Sequence, residues 1–202
     1  MDLLALPSPL WVLGTDTGFG KTFVAARIAR AWSALGPVRY RKPFQTGVAD
    51  LDDPEADQVA VAGPGIRVET CVRLRDPLSP LAAAEREGVA LDLEAVRRWC
   101  LAPPEEGGRL LLEAAGGVLV PLAERVHFLA WATAMELPAV LVARGGLGTL
   151  NHTLLSCEAL MLRGWRIAAV VLNPGLDGSH AAAAGNAAIL ARFLPVPVHV
   201  LE

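Results

Sequence analysis

The sequence predicts an α/β fold, a mostly parallel sheet with helices on both faces, in a single domain over residues 1–202. Three observations carry this expectation. Short β-type apolar runs alternate with longer helix-type segments along the whole chain. The runs Ala139-Val140-Leu141-Val142 and Ala168-Ala169-Val170-Val171-Leu172 are apolar at every position, as strands covered on both faces are, and do not alternate with polar residues. Finally, 202 residues with 53% apolar and 19% charged side chains suit one core, with apolar surface left over for a subunit interface.

The elements follow in order. An apolar strand Leu10 to Leu13 ends at a glycine-rich turn, and a helix Lys21 to Leu35 begins directly after it. A strand Val38 to Tyr40, a helix near Glu55 to Ala62 and a strand near Val68 to Leu74 come next. A helix Leu91 to Cys100 leads to the strand Arg109 to Glu113, and a helix Val126 to Met135 to the strand Ala139 to Ala143. The helix Asn151 to Arg163, the strand Ile167 to Leu172, the helix Ala181 to Phe193 and a last strand near Val198 to Leu201 complete the series. The segments Ala49 to Pro54, Gly63 to Gly65 and Pro103 to Gly108 read as punctuated loops within one domain. In such a sheet, ligands collect beyond the carboxyl ends of the strands, so the residues after each strand are the ones to inspect.

Composition excludes several classes. A net charge of -3 with no run of clustered Lys or Arg argues against nucleic acid as a partner. The cysteines Cys71, Cys100 and Cys157 are odd in number and lack C-x-x-C spacing, which points to neither a disulfide framework nor a thiolate zinc site. The apolar stretch Phe128 to Ala143 is interrupted by Glu136 and Pro138 and falls short of the roughly 20 residues a membrane span needs. Asp2 stands where a secretory leader would be basic, so a cytoplasmic location and no membrane partner are expected.

The first strand runs into Gly14-Thr15-Asp16-Thr17-Gly18-Phe19-Gly20-Lys21-Thr22 and then a helix. Strand, glycine turn and Gly-Lys-Thr at a helix start form a phosphate cradle. Backbone amides and the helix N-terminus face the anion, Lys21 reaches the terminal phosphates, and the Thr22 hydroxyl serves Mg²⁺. The fold expected is therefore a P-loop NTPase fold, with a loop one residue longer than the standard spacing because Thr15 takes the usual place of the first glycine.

Of the 18 basic residues only Lys21 and Lys42 are lysine. A compact, mobile ammonium suits a phosphate or carbamate better than a planar guanidinium does. Lys42 opens Lys42-Pro43-Phe44-Gln45-Thr46-Gly47, and Pro43 holds it extended at the strand end, where an exposed surface lysine is the competing reading. Glu113 ends its strand ahead of Ala114-Ala115-Gly116-Gly117, placed to hold Mg²⁺ directly or through water. Asp57 is the best second carboxylate, with Asp52, Asp53 and Glu55 as competitors on a solvated acidic loop.

A second glycine-rich turn, Arg144-Gly145-Gly146-Leu147-Gly148-Thr149-Leu150-Asn151-His152, leads into a helix. It reads equally as an anion site suited to a carboxylate and as a hinge with an Asn151 N-cap. His152 reads as a helix-start or packing residue. Asn173, ahead of Pro174-Gly175, could read an adenine edge or simply start a turn.

Taken together, GTDTGFGKT, KPFQTG, Ser79-Pro80, EAAGG, GTLNH and Asn173 resemble the dethiobiotin synthetase family in order and spacing over nearly the whole chain. The resemblance implies a homodimeric ATP- and Mg²⁺-dependent cyclo-ligase with the substrate site at the subunit interface. It would join CO₂ to 7,8-diaminononanoate as a carbamate, phosphorylate that carbamate, and close the ureido ring to give dethiobiotin, ADP and phosphate.

The family's roles carry over residue by residue. Gly14, Thr17, Gly18, Phe19, Gly20, Lys21 and Thr22 would bind ATP, and Thr22, Asp57 and Glu113 the metal. Lys42, Lys21 and Thr46 would be catalytic, and Thr46, Glu113, Ala115, Gly116 and Gly117 would line the substrate's reacting end. Gly148, Thr149, Leu150 and Asn151 would take its carboxylate from across the interface, while Asn173, Pro195 and Val196 would contact adenine. The chain departs from the family pattern at Gly18, where relatives carry an acid, and at Ala114, where they carry glycine. The alternative is a regulatory P-loop ATPase switch of the partitioning or septum-site kind. Such switches place a second lysine early in the loop, where Thr15 stands here.

Overall fold

Gly14, Thr46, Glu113 and Asn173 each end a parallel strand on the same edge of one sheet. The computed structural model describes residues 1–50, 60–104, 108–175 and 178–201. In chain order the elements are β1 (Leu10–Gly14), α1 (Lys21–Ser33), β2 (Val38–Thr46), β3 (Ile66–Leu74), α2 (Pro80–Glu87), α3 (Leu93–Leu101), β4 (Arg109–Glu113), β5 (Pro121–Ala123) and β6 (Val126–His127). There follow α4 (Phe128–Thr133), β7 (Ala139–Arg144), α5 (Thr149–Met161), β8 (Ile167–Asn173), α6 (His180–Phe193) and β9 (Val198–Val200). Seven strands form one sheet in the order β3-β2-β4-β1-β7-β8-β9, every pair parallel, and β5 and β6 make a separate antiparallel hairpin. This is the doubly covered parallel sheet that the continuous apolar strands require.

β1 lies at the centre and divides its side chains between two cores. Leu10 and Val12 join Val24, Ile28 and Trp32 of α1 on one face, while Trp11 and Leu13 join Phe128, Trp131 and Leu141 on the other. Trp11 meets Phe128 edge to face with ring centroids 5.2 Å apart, a geometry that adds to the burial of both rings. The three cysteines are free, and burial raises the Cys157 thiol to about 12, so it behaves as a small apolar group.

Several elements differ from expectation for identifiable reasons. β2 runs on to Thr46 through Pro43. Its pairing with β4 stops at Arg41, whereas its pairing with β3 continues to Thr46, so the proline sits where the sheet has only one neighbour left to serve. β3 is longer than its apolar run because, as an edge strand, it carries Arg67, Glu69 and Arg73 on its polar positions.

The helix α2 was not expected. Its start is fixed by Ser79, whose Oγ accepts the Ala82 N–H at 3.3 Å, and by Pro80 at its first position. The segment expected as one helix from Val126 instead pairs Val126 and His127 with β5, and α4 begins at Phe128. His127 caps that helix, its Nδ1 accepting the Ala130 N–H at 3.1 Å. Partial burial and the nearby Arg163 lower its pKa, which favours the neutral, accepting form. The helix expected near residues 55–62 lies mostly outside the described residues, as do Asp52, Asp53, Glu55 and Asp57.

Ile28 is fully buried between α1 and the sheet. Ile28→Ala is expected to cost about 2–5 kcal/mol of unfolding free energy, read as a lowered urea midpoint at unchanged slope. An unchanged midpoint would contradict the packing described for this face.

Candidate active site

The loop between β1 and α1 wraps around the Lys21 side chain. Gly20 takes a left-handed conformation with φ 85°, which lets the loop turn directly into the helix. Lys21 is 7% exposed, and its Nζ donates to the Asp16 carbonyl oxygen at 2.9 Å, so the ammonium lies across the loop. It passes over Gly14, where a Cβ would stand 2.9 Å from Lys21 Cδ and 3.0 Å from both its Nζ and the Asp16 oxygen. Glycine is thus needed at Gly14 for close approach.

Glu113 is the next anchor. It is 1% exposed, and its carboxylate accepts from three side chains on two elements. Thr22 Oγ1 donates to Oε1 at 2.8 Å, Lys42 Nζ reaches the same oxygen at 3.2 Å, and the Tyr40 hydroxyl donates to Oε2 at 2.8 Å. Lys42 is itself 6% exposed, which excludes the reading of it as a surface lysine at a strand end. A charge so deeply buried is tolerable only when paired and hydrogen-bonded, and Glu113 supplies that pairing at the head of the cleft.

These residues line one cleft of about 300 Å³. It brings together Thr17, Gly18, Gly20, Lys21 and Thr22 from the loop, Lys42 and Thr46 from β2, and Glu113, Ala115 and Gly116 from the end of β4. Two ammonium groups, one from the start of α1 and one from β2, therefore line a single cleft, with hydroxyls and backbone amides around it. Such a set can take a polyphosphate and stabilise charge developing on a transferred group. Its hard oxygen donors, the Thr22 hydroxyl and the Glu113 carboxylate, suit Mg²⁺. Among the described residues no group of three or more His, Cys, Asp or Glu forms a metal cluster.

Other expected site residues lie elsewhere. Gly117 belongs to a neighbouring, mainly apolar groove of about 330 Å³, walled by Thr15, Asp16, Val118, Val120, His152 and Leu155 among others. His152 is exposed on α5 and opens onto this groove, so it does not pack in the core. Gly148, with φ 87°, precedes α5, and the buried Thr149 ties back through Oγ1 to the Arg144 carbonyl at 2.7 Å. Gly148, Thr149, Leu150 and Asn151 thus sit at the head of α5, outside both cavities. The N-cap position is Gly148, not Asn151.

Asn173 is buried behind the phosphate loop. Its Nδ2 donates to the Phe19 carbonyl at 3.3 Å and its Oδ1 accepts the Gly175 N–H at 3.1 Å, while the Arg144 guanidinium stacks 4.4 Å above the Phe19 ring. Phe19 is therefore turned away from the cleft, toward β7 and β8. Pro195 and Val196 precede β9, whose Val198 faces Val170, and so stand at the amino edge of the sheet, opposite the phosphate loop. Topology separates them from the cleft.

Two residues of the site lie outside the sequence expectation, one lining the cleft and one buried behind Glu113. Gln45 faces the cleft between Lys42 and Thr46, and it was visible inside the KPFQTG run. Tyr40 precedes that run, and its meeting with Glu113 follows only from the pairing of β2 with β4.

Gly14→Ala is expected to weaken ADP binding by about tenfold or more, because the new methyl displaces Lys21. Calorimetry on the folded variant checks this, and wild-type affinity would contradict the close-approach argument.

Known proteins resemble this chain in sequence and in fold. Residues 9–199 match a family described as an AAA domain. The chain is 39% identical to an ATP-dependent dethiobiotin synthetase of Paramagnetospirillum magneticum, over 93% of this chain and 88% of that protein. It is 38% identical to one of Haloferax mediterranei, over 94% and 82% respectively. A ParA family ATPase from Chlorobium tepidum superposes with a TM-score of 0.59 over 96% of this chain and 84% of its own, and at 13% identity this likeness speaks for the fold alone. With the P-loop, the second lysine and the strand-end glutamate in one cleft, and relatives of this identity over more than nine tenths of its length, the chain belongs to the ATP-dependent dethiobiotin synthetase family.

Proposed function

We propose that this chain converts 7,8-diaminononanoate, CO₂ and ATP into dethiobiotin, ADP and phosphate, as a cyclo-ligase of biotin biosynthesis. The observation that carries the proposal is the convergence of Lys21 and Lys42 on one cleft with Thr22 and Glu113. One substrate amine adds to CO₂ and loses a proton, giving a carbamate. A carbamate oxygen attacks the γ-phosphorus of ATP and ADP departs. The second amine then attacks the carbonyl carbon, the ureido ring closes, and phosphate leaves.

Each residue has a place in this sequence. The loop amides with Thr17, Gly18 and Gly20 hold the phosphates, and Lys21 leaves the Asp16 carbonyl to follow the group in transfer. Lys42, held beside the cleft by Glu113, neutralises the carbamate and then the acyl phosphate. The Thr46 hydroxyl and the Ala115 and Gly116 backbone line the reacting end. Thr22 and Glu113, with Asp57 as third ligand, would hold Mg²⁺, which when bound spreads the charge of the β- and γ-phosphates. Asn173 keeps a second N–H and a second lone pair for an adenine edge beyond its contacts with Phe19 and Gly175.

A homodimer places the first-turn amides of one protomer's α5, from Thr149 to Asn151, against the substrate carboxylate in its partner's site. The nearly fully exposed Leu147 and the exposed Leu155 support an apolar face there. No helix among the described residues is long and apolar enough to cross a membrane.

The reading is tested by ADP release, expected only when diaminononanoate and bicarbonate are both present; ATP hydrolysis indifferent to both would overturn it. Lys42→Ala is expected to keep ATP affinity and lower turnover by roughly 10²–10³-fold, the scale of one lost transition-state donor, whereas Lys21→Ala loses nucleotide affinity as well. Equal loss of affinity in the two variants, by calorimetry, would contradict this division of labour.

A further inference from the structure

Glu113 is received by the cleft in one orientation, and the strand register explains why. Tyr40 on β2 stands opposite Leu111 on β4, so Glu113 is its diagonal neighbour two residues further along the same face. A cross-strand diagonal is within reach of an aromatic side chain, and the phenol arrives at Oε2 at 2.8 Å. Arg41 faces Leu112, so Lys42 follows beside Glu113 itself and meets the other oxygen. Tyr40 is fully buried, packed with Leu111, Val12 and Val38 beneath α1.

A carboxylate offers about four lone-pair positions. Thr22 and Lys42 take two at Oε1 and Tyr40 takes one at Oε2, which leaves one acceptor position on Oε2. The Thr22 hydroxyl spends its proton on Glu113, so its own lone pairs stay open. Without the phenol, Oε2 would lose its donor in a place water scarcely reaches, and the carboxylate could turn both oxygens toward the Lys42 ammonium. That rotation would remove the open oxygen position and tie down Lys42 in a tighter ion pair.

We infer that Tyr40 is a positioning residue that holds the Glu113 carboxylate in the one rotation that leaves an oxygen open for a divalent cation. The inference rests on the proposed metal role of Thr22 and Glu113 and adds the residue that makes that pair competent. Tyr40 touches neither nucleotide nor substrate in this account; it acts through Glu113.

Tyr40→Phe removes one oxygen and keeps the ring that packs beneath α1. Mn²⁺ is the probe, titrated by electron paramagnetic resonance in the presence of ADP. Tyr40→Phe is expected to weaken Mn²⁺ binding by roughly 10- to 100-fold, the range for a hydrogen bond to a charged group, while ADP affinity without metal stays within about twofold of wild type. A merely structural role would move both affinities together.

Glu113→Gln serves as the reference and is expected to lose Mn²⁺ binding. If Glu113→Gln loses the metal and Tyr40→Phe binds it as wild type does, the positioning role is overturned and the proposed function stands. If Glu113→Gln binds Mn²⁺ normally, the metal reading itself falls and this inference with it.

A second measurement avoids substitution. Tyr40 is the single tyrosine of the chain, so fluorotyrosine supplied during expression labels that position alone. Its ¹⁹F resonance is expected to shift when Mg²⁺ and ADP are added together and to stay put with ADP alone. A resonance that ignores Mg²⁺ would count against the coupling of Tyr40 to the cation.

Discussion

A carboxylate taken out of water is tolerated only where donors replace the lost solvent, and Glu113 finds three donors on two other elements. Thr22 comes from the first turn of α1, Lys42 and Tyr40 from β2, and Glu113 itself from the end of β4. The buried acid therefore binds the phosphate loop to the neighbouring strands. It also solves a second problem, since Lys42 is buried too and without a counter-charge would be costly to keep as an ammonium. Under the proposed function, the ion pair keeps a cation in the cleft until an anionic substrate takes over its coordination.

The fold makes this possible through strand order. β4 sits between β1 and β2, so the residue after β1, the end of β4 and the middle of β2 meet at one edge though they lie far apart in sequence. β2 outlasts β4 and continues along β3, and this overhang carries Lys42, Gln45 and Thr46 over the cleft. On the other side, Asn173 and Arg144 close on the phosphate loop at Phe19, from its carbonyl and its ring. The loop is thus held between two walls before any ligand enters, and preorganised donors of this kind are what phosphoryl transfer chiefly demands.

What could be read from the sequence was whatever is contiguous. The phosphate loop is a local motif, and Gly14, Gly20, Lys21 and Thr22 take the places their spacing suggests. The burial of Lys42 depends on which strand lies beside β2, and so does the meeting of Tyr40 with Glu113, which no local pattern encodes. Strand limits failed where charge interrupts the apolar run, as on the edge strand β3. α2 hid because its buried face is only Pro80, Ala83 and Ala84, too small for a clear period, although Ser79, Pro80 and Gly88 mark both its ends. The adenine role that the family resemblance implies for Pro195 and Val196 does not fit their place, since a segment before a parallel strand lies at the edge opposite the ligand.

The central claim is that Thr22 and Glu113 act as one unit, hydroxyl donating to carboxylate, with the cation served by what remains on both. A double-mutant cycle on Mn²⁺ affinity with Thr22→Val and Glu113→Gln tests this most directly. The account predicts strong non-additivity, the double variant binding the cation little worse than either single variant. Losses that simply add would contradict it, showing two residues that serve the cation independently.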